Sequence, residues 1–103
     1  MAKSLKHKYG AMRCEQDGKK FDSKKERNRY LELKLLLDNG DIRMFLRQPC
    51  FDLPGGVKYK ADFQIFWSDG NVTHEDVKGV RTSLYIAKKK MVEEIYQIEI
   101  IEV

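Results

Sequence analysis

The strongest constraint in this chain is a hairpin written around Ser68-Asp69-Gly70. Residues 57–67 (VKYKADFQIFW) alternate as a strand does, and residues 72–78 (VTHEDVK) form its partner. A three-residue loop with Gly in third place is a common hairpin connection, because Gly accepts the left-handed bulge position. If that loop is used, Trp67 faces Asn71, Phe66 faces Val72, Gln64 faces His74 and Asp62 faces Asp76. Lys78 lies on the side of Asp76 and diagonal to Asp62, since side chains alternate with period two. Two carboxylates then stand within about 5 Å of each other. Like charges so placed are costly, and a positive group must compensate. Lys78 is one such group, and a divalent cation with hard oxygen ligands is a better one.

A helix begins at Ser23, whose N-cap position has Glu26 three residues on, the spacing of a capping box. Tyr30, Leu33 and Leu37 are expected to face the core, with Glu26 one turn before them on the same line. A carboxylate carried there needs a partner, which the capping box or a cation site supplies. Asn39-Gly40 stops the helix. Residues 9–21 are expected to form two extended stretches about Asp17-Gly18, and residues 42–46, 50–53 and 97–103 further strands. Pro54-Gly55-Gly56 breaks the chain. A second helix over 83–95 is expected to bury the stripe Leu84, Ala87, Met91 and Ile95. Met44, Phe45, Phe51, Phe63 and Trp67 read as core, Glu75 as a surface contact, and His74 as a peripheral or nucleic-acid-facing group. The order of elements implies an α/β fold with a mixed β-sheet flanked by two helices.

The chain has 103 residues, enough for one domain over 9–103 behind a basic arm at 1–8. It contains no apolar run of the roughly 20 residues that span a bilayer. The basic start lacks the apolar region of a signal peptide, so a cytoplasmic location and no membrane partner are expected. Cys14 and Cys50 read as free thiols there. With His7 and His74 they lack the close ligand spacing of a zinc site. Net charge is +4, the footprint of a polyanion partner or of a solvated Lys-rich surface. No P-loop, Ser/His/Asp or Cys/His arrangement is present.

An acid early on the first helix, then Ala61-Asp62-Phe63, then Asp76-Val77-Lys78-Gly79, resembles the PD-(D/E)XK nuclease superfamily. The longer run DGKKFDSKKE, YLELKLL, Gln48, ADF and EDVKG resembles a small phage- and prophage-associated family of nuclease-like proteins. The likeness covers roughly residues 8–103, with Ala61 where the superfamily name has Pro. It implies a restriction-endonuclease-like core and Mg²⁺ (or Mn²⁺) held by Asp62, Asp76, the Val77 carbonyl and Glu26. Lys78 then orients or deprotonates the attacking water. Lys24 and Lys25, and Lys88, Lys89 and Lys90 with Tyr85, are the implied DNA-backbone contacts, a solvated face being the alternative for the lysine run. The implied activity is Mg²⁺-dependent cleavage of DNA in a bacterial host, on branched, Holliday-junction-like DNA by a homodimer. A simpler nicking or repair nuclease, a nucleic-acid-binding module without catalysis, and an α/β domain with structural ion pairs are the other readings.

Overall fold

The computed structural model describes residues 13–103. The arm expected over 1–8, the residues up to 12 and His7 lie outside them. Strands β1 (Cys14–Gln16) and β2 (Lys19–Phe21) form a two-stranded ribbon, and helix α1 (Lys24–Asp38) follows. Ser23 caps α1 as expected, its hydroxyl accepting from the Glu26 N–H at 3.1 Å. Strands β3 (Ile42–Arg47), β6 (Phe63–Trp67), β7 (Val72–Asp76) and β8 (Ile100–Glu102) make a four-stranded sheet in the order β3-β6-β7-β8. The first three run antiparallel, and β8 lies parallel to β7 after the crossover helix α2 (Ser83–Tyr96). The sheet is therefore mixed, and two helices flank it.

The hairpin between β6 and β7 has the register anticipated from its loop: Phe66 pairs with Val72, Gln64 with His74 and Phe63 with Glu75. Gly70 takes φ +96°, and the Asp69 carboxylate accepts from the Asn71 amide at 2.9 Å to close the turn. The segment 57–67 is not one strand. Strand β5 (Lys58–Lys60) pairs with β4 (Cys50–Asp52) in a separate ribbon, and the chain bends at Ala61-Asp62 before β6 enters the main sheet. The Ala61 N–H bonds to the Pro49 carbonyl and the Asp62 N–H to that of Glu75, so neighbouring peptides belong to different ladders.

Each face of the sheet has its own core. Phe21, Tyr30, Leu33, Ile42, Phe63 and Ile65 pack on the α1 side. Leu53, Tyr59, Ala61, Tyr85, Val92 and Ile100 pack on the α2 side. The stripe anticipated for α2 is corrected: Tyr85 and Val92 are buried, whereas Leu84 is 65% and Ile95 49% exposed, and Met91 lies outside as well. Sequence periodicity located an apolar stripe but not the face turned to the sheet, because α2 carries a second one. Leu37 and Met44 are also exposed. Leu37 sits in the last turn of α1, beyond the sheet's cover, and Met44 follows a bulge that shifts β3 against β6 after Ile42.

Candidate active site

Asp76 ends β7 with a side chain 0% exposed, and among the described residues neither carboxylate oxygen has a hydrogen-bond partner. A buried charge in that condition is costly unless a cation satisfies it. Burial pushes its pKa up to about 6, opposed by Lys78 and the nearby Asp62 backbone N–H and helped by the like charge of Glu102.

Asp62 sits at the bend and is pinned on three sides. Its N–H donates to the Glu75 carbonyl (3.0 Å), its carbonyl accepts from the Gln48 N–H (2.9 Å), and Oδ2 accepts from the Val77 N–H (2.7 Å). Gln48 holds a left-handed backbone, φ +55°, to make its bond. Burial raises the Asp62 pKa, against the Val77 amide and Lys78.

Glu26, in the first turn of α1, is 4% exposed. Its Oε2 has no hydrogen bond and lies 3.5 Å from Arg47 Nη2. Burial and the neighbouring Asp62 and Asp22 carboxylates push it up to about 7, with Arg47 opposing. Half of the capping box is thus used, the Ser23 hydroxyl to the Glu26 amide, while the acid's own carboxylate lies by Arg47, with the Asp62 and Asp22 charges acting on it.

Glu26 and Asp62 line one cleft of about 190 Å³ with Asp22, Ser23, Val77, Lys78, Gly79 and Val80. Asp22 also borders a wider groove of about 630 Å³, lined by Arg13, Lys20, Phe21 and Gln48 among others. Asp76 does not line this cleft. Among the described residues no three His, Cys, Asp or Glu side chains stand grouped as a ready-made metal cage. The fit to a hard cation rests on the Asp76 oxygens, which have no hydrogen-bond partner among the described residues, on Glu26 Oε2, which has only the Arg47 guanidinium at 3.5 Å, and on an all-oxygen donor set.

The remaining residues singled out in the sequence are placed as follows. Val77 lines the cleft, and its N–H donates to Asp62 Oδ2. Lys25 Nζ donates to the Lys78 carbonyl at 3.2 Å, and Lys24 is exposed. Lys88 Nζ donates to the Lys58 carbonyl, Lys89 pairs with Glu93 at 3.6 Å, and Lys90 is exposed. Two of the three lysines in the run thus already have protein partners. Tyr85 is not a surface group: it is buried against the sheet.

Two expectations are corrected here. Glu75 is buried, not superficial, and the Arg29 guanidinium grips it with two bonds of 2.8 and 2.7 Å. His74 is buried between Gln64 (3.2 Å) and the edge of Phe51, and burial lowers its pKa, so it faces no polyanion.

Arg47 and Glu102 were not legible as site residues. Arg47 lies over the Phe21 ring at 4.1 Å, donates to the Lys20 carbonyl and pairs with Glu26. Glu102 accepts from the Tyr85 hydroxyl at 2.8 Å. Neither belongs to a local motif; only the pairing of β8 with β7, which sets Glu102 beside Asp76, brings Glu102 in.

No curated protein and no solved structure matches the chain. A family model does match, over residues 6–101, and its description is "Protein of unknown function (DUF1064)". That match spans nearly the whole chain, helices, hairpin and acids included, and this protein belongs to the DUF1064 family.

Proposed function

We propose that this protein is a divalent-metal-dependent endonuclease of the PD-(D/E)XK kind that hydrolyses DNA phosphodiester bonds. The observation that carries the reading is Asp76: a fully buried carboxylate whose oxygens have no hydrogen-bond partner among the described residues, at the end of a strand, with Lys78 two residues beyond it. A structural ion pair would have satisfied those oxygens, as Arg29 satisfies Glu75.

Asp62, Asp76, the Val77 carbonyl and Glu26 are the groups that would hold Mg²⁺ or Mn²⁺. When bound, such an ion supplies Lewis-acid polarisation of a phosphoryl oxygen and acidifies water. Lys78 offers its ammonium to the attacking water and to the charge that builds on the phosphate. The water oxygen bonds to phosphorus as the bond to the 3′ oxygen breaks, which leaves a 5′-phosphate. The groove beyond Asp22, with Arg13 and Lys20 on its walls, is the path for the flanking strand, and the exposed Lys24 and Lys90 add phosphate contacts.

Junction cleavage by a homodimer is the finer form of the proposal. Two symmetric cuts need two sites, and Leu84, Met91 and Ile95 give α2 an exposed apolar stripe suited to a self-complementary contact. No helix among the described residues is long and apolar enough to cross a membrane. The setting we propose is the cytoplasm of a bacterial host.

The test is nicking of supercoiled plasmid with Mg²⁺ by the wild type and by Asp76→Ala. Cleavage by the wild type alone is expected. Equal cleavage by the mutant removes Asp76 from the site. Tight DNA binding without cleavage by either favours a binding module instead.

A further inference from the structure

Lys78 follows the end of β7, in a segment without regular structure that runs to the start of α2. A flexible four-carbon stem on such a segment has no intrinsic reason to hold its ammonium in one place. Lys78 lines one cleft with Asp22, Glu26 and Asp62, and its charge also bears on Asp76 and Glu102. Among the described residues it nevertheless forms no ion pair with any of them. Its Nζ lies instead over the ring of Tyr85, 4.2 Å from the centroid.

Tyr85 is itself locked. Its amide donates to the Thr82 hydroxyl at the start of α2 (3.1 Å), and its ring stacks on Tyr59 at 6.4 Å and 29°. Its hydroxyl donates to Glu102 Oε2 (2.8 Å), while Arg81 Nη1 stands 3.5 Å from Oε1 of the same acid. Glu102 is in turn set by the pairing of β8 with β7, opposite Asp76.

We infer that Tyr85, held by Glu102, is a positioning residue that keeps the Lys78 ammonium beside the acids without letting it bond to them. The assignment rests on the nuclease reading above and adds to it. A ring face attracts a cation but takes none of its three N–H donors. The ammonium stays available to a water or a phosphate oxygen. A carboxylate in the same place would saturate it. Helix α2 therefore contributes to the chemistry through a residue that meets no substrate.

The experiment pairs cleavage kinetics with nuclear magnetic resonance of the full chain. The Lys78 side-chain protons nearest the ammonium are expected upfield of their random-coil position in the wild type and in Tyr85→Phe, and near it in Tyr85→Leu. In Mg²⁺-dependent plasmid nicking, Tyr85→Leu is expected to lower kcat about tenfold with KM unmoved. Tyr85→Phe recovers most of that loss. Placed on Lys78→Ala, Tyr85→Leu adds nothing to whatever cleavage is left. An equal loss on both backgrounds, or an unchanged kcat in Tyr85→Leu, overturns the inference. Unshifted Lys78 resonances in the wild type overturn it independently of activity. A wild type with shifted resonances that cuts no DNA overturns the nuclease reading and leaves the contact itself standing.

Discussion

Asp76 and Glu26 hold protons more tightly in the folded chain than an unfolded chain does, because burial disfavours their charged forms. The folded state therefore gains on acidification. For Glu26 the window runs from about 7 down to 4.5, and for Asp76 from about 6 down to 3.8. Above those windows each charged acid costs the fold on the order of 3 kcal/mol. The metal-free protein is expected to melt several degrees higher at about pH 5.5 than at about pH 8, the reverse of a domain stabilised by paired carboxylates. Millimolar Mg²⁺ or Mn²⁺ should raise the midpoint at about pH 8 far more than at about pH 5.5, because only the ionised acids bind it. Thermal melts at the two pH values with and without metal decide this. A midpoint that falls on acidification and ignores metal removes the cation from the site.

At the scale of elements, the β6–β7 hairpin sets the distance between Asp62 and Asp76, and Gly70 sets the hairpin. Gly70→Val forces a branched residue to φ +96°. It should cost about 1–2 kcal/mol, read as a lower denaturation midpoint. Neighbouring space is not the reason, since a Cβ there meets nothing within 4 Å. This hairpin was legible from sequence because loop chemistry and alternation specify register together. The first helix was legible for the same kind of reason, a cap at Ser23 and a stop at Asn39-Gly40. The sheet facing of α2 was not, since Leu84, Met91 and Ile95 make as good a stripe as Tyr85 and Val92. Nor was the break at Ala61-Asp62, because alternation continues through a strand that changes ladders. Glu26 and Asp62 were legible as residues that share a cleft, which Asp76 does not line, and the buried roles of Tyr85, Glu102 and Arg47 depend on contacts between segments far apart in the chain.

For the whole molecule, a polyanion partner implies a measurable salt dependence. Lys90 is exposed and, among the described residues, makes no contact like those that occupy Lys88 and Lys89. Lys90→Ala should weaken DNA binding uniformly across sequences and reduce the salt slope by about one. Lys88→Ala should change the slope less. Titrations over a range of salt concentrations compare the two, and equal slopes for wild type and Lys90→Ala take Lys90 out of the contact. The bend at Asp62 carries a further implication. The peptide before it is tied to the β4–β5 ribbon and the peptide after it to the main sheet, as a latch spans a door and its frame. On the nuclease reading, a tilt of that ribbon would turn this carboxylate, and a nucleic acid pressing on Lys58 and Lys60 would reach the proposed site through the backbone itself.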